Sequence, residues 1–147
     1  TITGSSQPVV GRLDPGRTSD IFWYAPGPAQ DSVWYSTGRG RFTSVKTTVN
    51  GTGYRPFAAD LDGDGLDDVF WYAPGPAADS VWYARTQRGR YDVSPTTVSG
   101  TYLPAAGDLN GDGVQDVLWL EPPTASGDPI WWGLSGRGFR TATAQVR

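Results

Sequence analysis

The 147-residue chain carries 12 basic and 15 acidic residues, a net charge of -3, and neither cysteine nor histidine. Those absences exclude disulfides, thiolate metal sites, a cysteine nucleophile, and the side chain most used for acid–base catalysis and zinc binding near neutral pH. The near-balanced charge shows no basic cluster that would serve a nucleic-acid partner, and no apolar run nears the roughly 18 residues needed to cross a membrane.

The composition still describes a packed domain. Hydrophobic residues make up 37% and aromatic ones 13%, while 20 Gly and 12 Pro supply the punctuation of many short strands and turns. An all-β fold is expected. Of the 15 acidic residues all but Glu121 are Asp, which places the carboxylates on short stems at turns. With no N-terminal Met and no signal-like apolar stretch, the chain reads as a mature secreted piece or an excised one.

In chain order, the first signal is the loop Arg12-Leu13-Asp14-Pro15-Gly16-Arg17-Thr18-Ser19-Asp20. It leads into Ile21-Phe22-Trp23-Tyr24-Ala25-Pro26-Gly27-Pro28-Ala29, then Asp31-Ser32-Val33-Trp34-Tyr35, then Arg41-Phe42. Forty-eight residues on, the same order returns as Asp60 to Asp68, Val69 to Ala77, Asp79 to Tyr83, and Arg90-Tyr91. A third, looser copy runs through Asp108 to Asp116, Val117 to Leu120, Asp128 to Trp132, and Gly138-Phe139. The period predicts one structural unit written three times, with boundaries near 5–50, 51–99 and 100–147.

Each unit reads as four strands, placed in the middle period at about Arg55 to Leu61, Asp68 to Ala73, Asp79 to Arg85 and Arg90 to Val98. In the second of these, Val69 and Trp71 point one way and Phe70 and Tyr72 the other, so both faces must be covered. Four antiparallel strands per unit, each sheet sandwiched by its neighbours, describe a β-propeller built of three blades. A twelve-stranded β-sandwich is the structural alternative, but it does not call for threefold repetition.

The loop from Asp60 to Asp68 carries the chemistry. Asp60, Asp62, Asp64 and Asp68 hold positions 1, 3, 5 and 9, and Gly65 at position 6 makes the turn that lets the Leu66 carbonyl join them. Oxygens converging on one point suit a hard cation, and the flexible set of ligands suits Ca²⁺ better than Mg²⁺. The third repeat keeps the pattern with Asp108, Asn110, Asp112, Val114 by its carbonyl, and Asp116; Asn at position 3 removes one charge and predicts weaker binding. The first repeat is degenerate, with Arg12 at position 1 and Gly16 at position 5, and its Arg12 guanidinium is expected near Asp14 and Asp20 as a substitute cation. Two Ca²⁺ ions per chain are therefore expected. An EF-hand would need flanking helices and a Glu at position 12, where Trp71 stands.

This loop, followed by the apolar strand and Ala73-Pro74, resembles the FG-GAP or VCBS repeats, the calcium-loop blades of integrin α-subunit propellers and of many secreted bacterial proteins. The resemblance is strongest from Asp60 to Pro74, good from Asp108 to Val117 and partial from Arg12 to Pro26. It implies propeller architecture with calcium in the first hairpin of a blade, and no enzymatic activity.

Propellers close with four to eight blades, so three blades leave two apolar faces open. A head-to-tail homodimer of six blades is the expected remedy. Thr1-Ile2-Thr3-Gly4 resembles Thr97-Val98-Ser99-Gly100, which places the start of the sequence at a blade boundary, and its end follows an outer strand near Val146. Both a natural three-repeat domain and a piece of a longer array fit that pattern. For function, a calcium-binding, non-enzymatic module is expected, with carbohydrate as one ligand class and Trp34, Trp82 and Trp131 as the candidates to stack on it. Trp23, Trp71 and Trp119 read as packing between blades. The alternatives are a scaffold or protein-adhesion module of a larger secreted protein, and an engineered three-blade fragment with no function of its own. Calcium loops lacking a closing Glu belong to the weak, extracellular range of about 0.1–1 mM, so the protein is expected to be secreted or extracellular.

Overall fold

The computed structural model describes residues 4–121 and 127–144; the resemblance at Thr1 to Thr3 and the Val146 boundary lie outside the described residues. Twelve strands form three four-stranded antiparallel sheets, each in simple meander order. The first blade holds β1 (Gln7–Gly11), β2 (Asp20–Tyr24), β3 (Asp31–Gly38) and β4 (Arg41–Thr47). The second holds β5 (Arg55–Ala59), β6 (Asp68–Tyr72), β7 (Asp79–Ala84) and β8 (Tyr91–Thr96). The third holds β9 (Leu103–Gly107), β10 (Asp116–Leu120), β11 (Pro129–Gly133) and β12 (Phe139–Thr143). The middle-period strands fall within two residues of their predicted ends. The result is a propeller-like stack of blades.

Pairing register repeats from blade to blade. Gly11 opposes Asp20, Ala59 opposes Asp68, and Gly107 opposes Asp116, so each acidic loop closes the hairpin between the first two strands of its blade. Adjacent strands then bring Phe22 opposite Val33, Phe70 opposite Val81 and Leu118 opposite Ile130.

Two apolar layers hold the blades together. Between the first and second blades lie Phe22, Tyr24, Val33 and Tyr35 against Val69, Trp71, Trp82 and Tyr91. Between the second and third lie Phe70, Tyr72, Val81 and Tyr83 against Val117, Trp119, Trp131 and Phe139. Every residue of β6 is buried because its two faces feed different layers, as period-2 alternation in a fully covered strand requires. The layers are aromatic lattices. Trp71 meets Phe22, Tyr24 and Tyr54 edge-on, and Trp119 meets Phe70, Tyr72 and Tyr102 in the same way. The indole N–H groups of Trp23, Trp71 and Trp119 are buried without a hydrogen-bond acceptor; around Trp71 and Trp119 the neighbours are aromatic rings, which accept N–H weakly through their faces.

The outer blades bury one face each. β2 alternates buried with partly exposed residues, leaving Ile21 and Trp23 on a leading face with Val10, Trp34 and Phe42. β10 does the converse, leaving Leu118 and Leu120 on a trailing face with Leu103 and Trp132.

Candidate metal loop

The second acidic loop is wound around its own carboxylates. Asp60 Oδ1 accepts from Gly63 N at 2.7 Å and Oδ2 from Gly65 N at 2.9 Å, while Asp62 Oδ1 accepts from Asp64 N at 3.3 Å and Asp64 Oδ1 from Leu66 N at 2.8 Å. Gly63 and Gly65 both have positive φ, at 76° and 87°, the left-handed conformation that glycine adopts most readily. The winding brings one oxygen each of Asp60, Asp62 and Asp68 within 4.8 Å of one another. Such a set of oxygen donors suits a hard cation. Asp64 is outside that trio, at the exposed edge of the loop.

The third loop repeats those bonds. Asp108 accepts from Gly111 and Gly113, Asn110 from Asp112, and Asp112 from Val114. Among the described residues its carboxylates do not form a comparable cluster. The first loop lacks the position-1 carboxylate, and its Asp14 accepts only from Gly16 N within the loop. Here the expected role of Arg12 needs correction. Its Nε donates to the Gly16 carbonyl at 2.8 Å, whereas the guanidinium that pairs with Asp14 belongs to Arg88 of the next blade, at 2.6 Å. Arg12 caps carbonyls because its own loop turns them toward it; Asp14 is buried at the blade junction and faces Arg88 across it.

Position 9 has a role that the acidic pattern alone does not disclose. Asp20, Asp68 and Asp116 each span two backbone donors: Leu13 and Ser36, Leu61 and Ala84, Leu109 and Gly133. The carboxylate thereby clamps the loop to the end of the third strand in all three blades, including the one with a degenerate loop. Burial pushes the Asp68 carboxyl up to about 8, opposed by its two N–H donors and reinforced by Asp62 and Asp64. Asp64 is also raised, chiefly by desolvation.

A second set of structural carboxylates stands at or just before the start of each third strand. Asp31 accepts from Ala25 and Val49, and Asp79 from Ala73 and Val98, all at 2.7 Å, and Asp128 accepts from Glu121 at 2.9 Å. Sequence reasoning places these residues at turns but does not foresee the double bridge. The signal was available: the Asp recurs in phase with the repeat.

The tryptophan candidates have unequal surroundings. Trp82 is packed on Phe22, Trp71 and Tyr91, and Trp131 on Phe70, Trp119 and Phe139, within the two layers. Trp131 also borders two open grooves between the second and third blades, one with Pro95 and Thr141 and one with Ser99 and Pro129. Trp34 lies on the leading face beside Trp23 and Phe42.

Three meander sheets, stacked through aromatic faces and each opened by a loop at the first hairpin, define a propeller-type repeat protein. The FG-GAP-like repeat family model matches residues 17–71 and 60–119, and the chain belongs to that family. No curated protein matches it, and no solved structure does. Among the described residues no helix is long and apolar enough to cross a membrane.

Proposed function

We propose that the chain is a non-enzymatic, calcium-binding propeller module, secreted or extracellular, that presents inter-blade grooves to a ligand and completes its stack with a second copy of itself. The observation that carries the calcium reading is the convergence of Asp60, Asp62 and Asp68. Those residues would hold the ion with Asp64 and the Leu66 carbonyl, and the ion would neutralise carboxylates that otherwise repel. Asp108, Asn110, Asp112, Asp116 and the Val114 carbonyl would form a second site.

A non-enzymatic role is supported by the fate of the carboxylates. Asp31 and Asp79, next to Ser32 and Ser80, have both oxygens engaged by backbone N–H groups and are poorly placed to activate a hydroxyl. For the ligand, Trp131 is the ring best placed to meet a sugar, since it edges two grooves. Recognition of a protein partner as an adhesion or scaffold module is the second reading, favoured by the apolar leading and trailing faces.

Titrating Ca²⁺ into metal-free protein by calorimetry, with light scattering in calcium and in EDTA, tests the core of this. Two binding events in the range of about 0.1–1 mM and a mass twice the 15.8 kDa of one chain are expected. Absence of binding heat at saturating calcium sinks the metal reading, and a monomer at high concentration sinks the assembly.

A further inference from the structure

Each blade junction carries the same arginine contact. Arg137, in the β11–β12 turn, places Nε 2.9 Å from Asp62 Oδ2 and a terminal nitrogen 2.9 Å from Asp92, with its guanidinium 4.5 Å from the Tyr83 ring centre. The adjacent Gly138 N–H donates to the Tyr83 hydroxyl at 3.2 Å. One blade earlier, Arg88 Nε lies 2.6 Å from Asp14 Oδ2, its guanidinium 5.1 Å from the Tyr35 ring, and Gly89 N–H donates to the Tyr35 hydroxyl at 2.7 Å. Position 3 of the loop follows this contact, not the acidic pattern. Asp14 persists in a loop that has lost positions 1 and 5, and it meets Arg88. Asn110 stands in a loop with the rest of the pattern, where no blade follows among the described residues.

We infer that Arg137 is a resident counter-cation of the second loop, one that holds the loop together without metal and lowers its affinity for calcium. This rests on the calcium reading above. Asp62 divides its oxygens: Oδ1 faces the loop through Asp64 N, and Oδ2 faces Arg137. A metal ion and the guanidinium are then like charges sharing one carboxylate. Fixing the Asp62 side chain favours the ion, but repulsion between a divalent ion and a unit charge across one carboxylate outweighs the ordering of two torsions. Arg88 stands in the same relation to the first loop, where it serves as a permanent substitute for the cation. The four candidate ligand carboxylates of the second loop less one guanidinium leave the same formal charge as the three of the third; Asp67, the fifth aspartate of the second loop, accepts instead from Arg12 N. The two sites of the unmodified chain therefore titrate closer together than their ligand sets alone predict.

The test is calorimetric titration of Ca²⁺ into the unmodified chain, Arg137→Gln, Arg137→Lys and Arg88→Gln, each checked for folding by the near-ultraviolet signal of its tryptophans. Arg137→Gln should tighten one site roughly fivefold, more at low salt, and so separate the two sites. Arg137→Lys keeps the charge and should stay within about twofold, and Arg88→Gln should leave both sites unchanged. A purely structural role predicts weaker binding in both Arg137 variants, and equal or weaker binding in Arg137→Gln, or binding weakened by more than about twofold in Arg137→Lys, overturns the inference. No heat in the unmodified chain is a different failure: it removes the calcium reading and this inference with it.

Discussion

Asp68 is fully buried beside Asp62 and Asp64, and desolvation with their repulsion raises its carboxyl from 3.8 to about 8 in the metal-free fold. A group whose folded value lies above its unfolded value keeps its proton preferentially in the folded state between the two. Metal-free stability is therefore highest at the acid end of that window and falls as pH rises from about 4 to about 8. Asp20 and Asp64 are shifted in the same direction, desolvation again leading. The proposed calcium site requires the ionised form, so uptake there should release a proton within that window and apparent affinity should climb with pH until about 8. Thermal melts in EDTA and calcium titrations at matched pH values check both slopes; melting temperatures that rise from pH 5 to 8 in EDTA would contradict the assignment. The sequence makes Asp68 legible as a candidate ligand by its spacing. Its clamp on Ala84, sixteen residues away, is invisible there, because backbone donors carry no side-chain signature.

At the scale of strands, the contrast between β6 and its equivalents decides where packing energy resides. Phe70 is wholly buried and touches Phe57, Trp119, Trp131 and Phe139, whereas Leu118 at the same phase of β10 is partly exposed on the trailing face. Phe70→Ala should cost about 3–5 kcal/mol in chemical unfolding. Leu118→Ala should cost well under half of that in dilute protein, because a half-solvated side chain leaves little cavity. Comparable losses for the two would mean that the trailing face is already covered within one chain. The strand pattern was readable because Val69 to Tyr72 is apolar on both faces, a demand that only flanking sheets meet. The inter-blade arginines were not. Arg88 and Arg137 reach carboxylates 74 and 75 residues away, and nothing in a local window distinguishes them from Arg39, which makes no hydrogen bond or ion pair among the described residues.

For the whole molecule, the unengaged Arg39 shows what a junction between two copies would contain. It sits in the β3–β4 turn with φ of 54°, close to the 69° of Arg137, and is followed by Gly40 as Arg137 is by Gly138. Superposing the internal junction on a head-to-tail contact would set Arg39 against Asn110, Trp132 and Arg140, where Arg137 meets Asp62, Tyr83 and Asp92. Trp132 is the better ring for a cation, but Asn110 brings no charge and Arg140 brings the wrong one. In the proposed dimer the chain-to-chain junction would thus be held by its apolar faces and be weaker in its polar contacts than the two internal ones. Restoring the carboxylate should correct that: Asn110→Asp is expected to tighten the dimer roughly fivefold per junction, read by analytical ultracentrifugation across a concentration series. The gain must vanish when Arg39→Ala is added, since a double-mutant cycle isolates the pair. If Asn110→Asp tightens association equally with and without Arg39, the carboxylate acts elsewhere, and the trailing face of the third blade does not meet the leading face of the first in the way the blades meet within a chain.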